Sequence, residues 1–123
     1  MLTERDRDEV RQHFAVFNPT PSVEIDASQH TDEESYLLIE GGGLSIGKIL
    51  VDVPNLSEAR KVKAHRYFVY NHEGEDDGGQ YTALGFAVKQ AVVAYAAELF
   101  RRVEDRIVTA AQAEEWENSK RNS

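Results

Sequence analysis

The spacing of apolar side chains along this chain changes several times, and each change predicts an element. Thr3 followed by Asp6 is a capping-box pattern, and Val10, Phe14 and Phe17, four and three residues apart, give the next helix one narrow apolar stripe running to about Phe17. Most other positions there are charged, so the stripe predicts a helix that docks on a sheet edge or a partner without organising a core. Pro19 and Pro21 stop it. From Ser22 the period falls to two: Val23, Ile25 and Ala27 alternate with Glu24 and Asp26, as in a strand with one wet face near a sheet edge. His30 to Glu34 is polar and predicts a turn. Ser35 to Glu40 is a short β-type run, and Gly41 to Gly43 predict a tight reversal.

Leu44 to Val53 is the strongest strand pattern in the chain, with Ile49, Val51 and Val53 on one face, and a hairpin with the preceding strand is the natural pairing. Pro54 is expected to end it. Asn55 with Glu58 three residues on predicts the cap of a short helix carrying Leu56, Ala59 and Val62. Arg66 to Tyr70 is rich in aromatic and β-branched side chains and predicts a fourth strand, closed by the polar loop Asn71 to Gly79. From about Tyr81 to Asn118 the chain is alanine-rich and free of proline, predicting one helix or two. Leu84, Val88, Val92, Tyr95, Leu99 and Val103 mark one apolar face. Phe86, Val93, Ala97 and Phe100 add a second, which one small sheet cannot also cover.

The predicted order is α-β-β-β-α-β-α: an α+β fold with a small, mainly antiparallel sheet of about four strands packed against a long C-terminal helix. With 123 residues, 1–123 reads as a single α+β domain in which 104–123 form a helical C-terminal arm. Leu, Ile, Val and Phe make up about 24% of the chain, above the roughly 20% below which a charged chain stays disordered. A net charge of −8 disfavours direct nucleic-acid binding, because phosphate contacts need positive charge. The absence of cysteine removes disulfides and thiolate chemistry. The mixed-charge start, Met1 to Asp8, lacks the pattern of a secretory signal, and Lys89, Gln90 and Glu98 interrupt the most apolar stretch, Thr82 to Phe100. No signal peptide, membrane span or membrane partner is therefore expected, and the expected location is the cytoplasm, or a virion if the source is viral.

Two glycine motifs overlap. Gly42 to Lys48 has the G-x-x-x-x-G-K spacing of a phosphate loop, but Ile49 stands where Ser or Thr would hold Mg²⁺, and a strand follows where a helix is needed. Gly43 to Gly47 reads G-x-S-x-G, again without the helix that a serine nucleophile requires. The glycines therefore read as turn residues and a strand kink. His30, Asp32 and Glu33, and His72 with Glu73, Glu75, Asp76 and Asp77, have no diagnostic metal-ligand spacing and read as solvated loops. No catalytic, cofactor-binding or metal residues are assigned, no cofactor is expected, and the chain is read as a non-enzyme.

The informative charge feature is an alternation of sign. Arg60, Lys61, Lys63 and Arg66 form a basic segment, and Glu73, Glu75, Asp76 and Asp77 follow as an acidic loop, so a positive patch on one subunit could meet a negative loop on the next. The expectation is a structural or assembly subunit of a multi-subunit particle, with a viral or phage particle as one setting. It would act as a homo-oligomer, with a larger protein partner, or both. Val88, Val92, Tyr95 and Leu99 are the expected apolar contact, the charged residues set register, and Trp116 is a candidate anchor in the arm. The rival expectation is an acidic protein-binding module of chaperone, inhibitor or DNA-mimic type, against which nine arginines and five lysines interrupt the acids.

Overall fold

The structure, a computed structural model, describes residues 1–55, 57 and 60–121, with the backbone alone at 108, 109, 113 and 116–121. Its elements are α1 (Glu4–Phe14), β1 (Val23–Ile25), β2 (Glu34–Ile39), β3 (Leu44–Asn55), β4 (Arg60–Asn71) and α2 (Leu84–Arg121). This is an α+β fold whose four strands form an antiparallel meander in the order β1-β2-β3-β4. The chain forms two compact units, Met1–Val92 and Val93–Ser123.

The capping box forms as the sequence predicts. The Thr3 hydroxyl accepts the Asp6 N–H at 3.1 Å and the Asp6 carboxylate accepts the Thr3 N–H at 2.9 Å. Just before it, the Leu2 N–H donates to Ser35 Oγ at 2.9 Å, which ties the chain start to β2 and partners the buried serine. Val10 and Phe14 are fully buried, and α1 lies against β1. The helix therefore contributes to the core, where the sequence predicted only a docked edge. Two residues on one face suffice because Phe14 is among the largest fully buried side chains of the chain.

The register sorts the sheet into two faces. Val23, Leu37, Ile39, Leu44, Ile46 and Val69 are mutual ladder neighbours on one face and are all buried. Leu84, Ala87, Val88 and Ala91 in the first turns of α2 are also buried and complete the core of the first unit. The opposite face carries Tyr36, Leu38, Gly47, Ile49, Phe68 and Tyr70. The β2–β3 reversal runs through Glu40, Gly41 and Gly42 with φ of 54°, 68° and 111°, so the two glycines occupy conformations closed to most side chains.

One predicted element is corrected. The short helix expected after Asn55 is absent over Arg60 to His65, which instead belongs to β4, while Leu56, Glu58 and Ala59 lie outside the described residues. Val62 and Ala64 alternate with Lys61, Lys63 and His65, and pairing with β3 uses that period of two. Pro54 does not end β3. Beyond the last β2 pairing, Glu34 with Ile49, β3 has β4 as its only ladder partner among the described residues, and a proline is tolerated on such an edge. The C-terminal segment is a single helix, Leu84–Arg121. Among the described residues no helix is long and apolar enough to cross a membrane.

Candidate functional site

Past the end of β2, β3 and β4 continue together as a two-stranded ribbon, pairing Val51 to Asn55 with Ala64 to Arg60. Alternation makes the ribbon two-faced. Val51, Val53, Val62 and Ala64 share the face that also carries Arg60 and Arg66, and Asp52, Pro54, Lys61 and Lys63 share the other. The basic segment is therefore split, with Lys61 and Lys63 on one side of the ribbon and Arg60 and Arg66 on the opposite side. Arg60, Lys61 and Lys63 are exposed, and Arg66 is half-buried with its guanidinium donating to the His65 carbonyl at 2.9 Å. Lys63 Nζ reaches Asp52 across the strands at 2.9 Å and holds that carboxyl below the usual carboxylate range. Both groups are solvent-exposed, so the pair aligns the ribbon more than it stabilises it.

The acidic loop lies at the other end of β4. It is built from hydrogen bonds of its own side chains: Asn71 Oδ1 accepts the N–H groups of Glu73 and Glu75 at 3.0 Å each, and Asp76 Oδ1 accepts that of Gly78 at 2.8 Å. Asp77 accepts the Gly79 N–H at 2.9 Å and the Tyr81 hydroxyl at 2.6 Å. The loop then returns along β4, with Tyr67 and Tyr81 exchanging backbone hydrogen bonds of 2.8 Å, and so covers that edge of the sheet. Glu73, Glu75, Asp76 and Asp77 are all exposed, but the two aspartates hold the turn and the two glutamates do not.

The hydrogen bond to Asp77, with burial and the Asp77 charge adding to it, pushes the Tyr81 phenol up to about 12. The folded chain thus holds this proton more tightly than the unfolded chain does. Its contribution is complete below about pH 10 and is lost as pH rises through about 12. Alkaline titration followed by tyrosinate absorbance should show this late ionisation. Asp77→Asn, which keeps an acceptor but removes the charge, should bring it part of the way back toward 10, and an unmoved transition would refute the assignment.

Charge of opposite sign therefore sits at the two ends of one strand. From Lys61 and Lys63 to Val69, whose carbonyl accepts the Asp77 N–H, β4 runs about 20–26 Å at 3.3 Å per residue. That is more than two Debye lengths at physiological salt, so Lys61 and Lys63 are largely screened from the acidic loop of their own chain.

The residues of the expected apolar contact differ in exposure. Val88 is fully buried and Tyr95 is 5% exposed, while Val92 and Leu99 are half-buried. The exposed large apolar side chains of α2 are Phe86, Val93, Phe100, Val103 and Ile107. The helix backbone runs through Trp116, whose side chain lies outside the described residues.

The glycine motifs are absorbed into the sheet. Gly42 belongs to the reversal, and Ser45, Gly47 and Lys48 all lie within β3, with Lys48 Nζ 5.8 Å from the centre of the Tyr67 ring. Among the described residues no three His, Asp or Glu side chains come together as a metal site. No known family model, curated protein or solved structure matches the chain.

Proposed function

We propose that the chain is a non-enzymatic structural or assembly subunit that builds a multi-subunit particle by self-association, the basic ribbon of one copy meeting the acidic loop of the next. The observation that carries this reading is the separation of opposite charge along β4, with Lys61 and Lys63 about 20–26 Å from the Val69 position beside which Asp77 lies. A contact between unlike patches repeats head to tail, and it closes into a ring or extends as a tube according to the rotation between neighbours. Exposed ion pairs contribute about 0–1 kcal/mol each, so these patches set register and orientation more than affinity.

The test is mass by size-exclusion chromatography with light scattering, at low and at molar salt, on the unaltered chain and on charge-reversed variants. Arg60→Glu with Lys61→Glu should weaken low-salt assembly by about 3- to 10-fold. Glu73→Lys with Glu75→Lys, chosen because these side chains do not hold the loop, should restore it in the same chain. Failure of rescue would reduce the patches to solubilising charge. A monomer at every concentration and salt would overturn self-assembly and leave the acidic binding module as the standing alternative.

A further inference from the structure

The second unit exposes an apolar row. Val93 is 62% exposed, Phe100 67%, Val103 52% and Ile107 64%, and with the exposed Ala96 and Ala110 they fall three, four, three, four and three residues apart. That alternation puts all six along one side of the helix over about 26 Å, drifting slowly around it, the spacing by which two helices interlock side chains. The buried Tyr95 and the half-buried Ala94 and Glu98 lie on the opposite side. The four large side chains alone leave on the order of 400 Å² of apolar surface in water, as much as the largest patch on a typical monomer.

We propose that Val93 to Ala110 is the seam of an antiparallel two-helix contact with a second copy of this chain. The proposal rests on the self-association reading but uses a different surface from the charged patches. A second copy is the occupant because the row is complementary to itself. Turned end for end about the point between Arg101 and Arg102, it sets Phe100 against Val103 of the second copy, Val93 against its Ala110 and Ala96 against its Ile107. Every layer then joins a larger side chain to a smaller one, as interlocked packing requires.

Charge favours the same arrangement. A parallel pair would stack Phe100 on Phe100 and put Glu114, the next position of the row, against its own counterpart. The antiparallel pair instead brings Glu104 beside Ala97 of the second copy and Arg106 beside its Leu99, so no like charges meet on the shoulders. Two such rows and their shoulders bury about 1,000 Å², the least that a specific contact needs. The contact is isologous, so it closes as a two-fold dimer that head-to-tail contacts can then link.

The test is sedimentation equilibrium of the full chain in molar salt, where contacts between exposed charges are screened. The unaltered chain should be a dimer, and Phe100→Glu should weaken it by about 30-fold or more with an unchanged circular dichroism spectrum, since this side chain is exposed. Arg60→Glu with Lys61→Glu should leave the molar-salt dimer intact, which separates this contact from the head-to-tail one. Because the chain has no cysteine, Ala97→Cys and Glu104→Cys copies can be mixed and oxidised; cross-links between unlike copies are expected. A monomer in molar salt, a dimer that survives Phe100→Glu, or a dimer without the unlike cross-link would each overturn the proposal.

Discussion

Phe14→Ala should destabilise the chain by about 3–5 kcal/mol, whereas Val16→Ala, two residues on, should change stability by less than about 0.5 kcal/mol. The two side chains differ in burial: Phe14 is fully buried at the end of α1, and Val16 is 76% exposed just past it. Truncating Phe14 removes the transfer free energy of a ring and leaves a cavity between α1 and the sheet. The Phe17 ring, centred 5.9 Å away, would lose its packing partner as well. Out of a typical total of 5–15 kcal/mol, that is enough to populate the unfolded chain. Urea denaturation at one protein concentration, so that association does not enter, reads both values. A loss below 1 kcal/mol for Phe14→Ala would mean that α1 is an appendage, as its charged sequence suggested.

That contrast shows where sequence pattern carries structural information. The four strands were legible because each has its own period of two or apolar run: Val23 and Ile25, Ser35 to Ile39, Leu44 to Val53, and Tyr67 to Tyr70. The reversal at Gly41 and Gly42 was legible because glycine is the residue that positive φ tolerates. The start of β4 was not. Asn55, Glu58 and Val62 mimic a capped helix, and what decides for strand is the facing run Val51 to Asn55, a partner that local spacing cannot report. The candidate contact had the same difficulty. Both apolar faces of the long helix were visible in the sequence, but burial periodicity does not say which atoms do the burying. Val88 and Tyr95 are buried, and Val93, Phe100 and Ile107 are exposed. The charged ends were legible as patches, but their distance depends on β4 being one continuous strand.

Gly47→Val should cost about 1–3 kcal/mol, and Gly47→Ala should already carry much of that loss, although both residues suit a strand better than glycine does. A Cβ at Gly47 would lie 2.8 Å from Tyr36 Cε1 and 2.9 Å from Tyr70 Cε2, closer than side chains approach. The two rings come from the strands on either side, β2 and β4, and close over the glycine with their centres 6.0 Å apart. They are not loose ends that can swing aside at little cost. The Tyr36 hydroxyl donates to Glu34, Tyr70 packs on Phe68 at 6.2 Å, and burial raises both phenols above their ordinary value. The closing glycine of both the apparent phosphate-loop and serine-elbow spacings is thus explained by aromatic packing on the outer face of the sheet. Gly85→Ala is the control of opposite sign: a Cβ there meets nothing within 4 Å, and in the first turn of α2 alanine should stabilise by up to about 1 kcal/mol. If thermal melts show Gly47→Ala as harmless as Gly85→Ala, the rings yield freely and the glycine has no packing role. A loss at Gly47 accompanied by a changed near-ultraviolet circular dichroism signal would locate the strain in the Tyr36–Tyr70 pair, because those rings must turn before a side chain can enter.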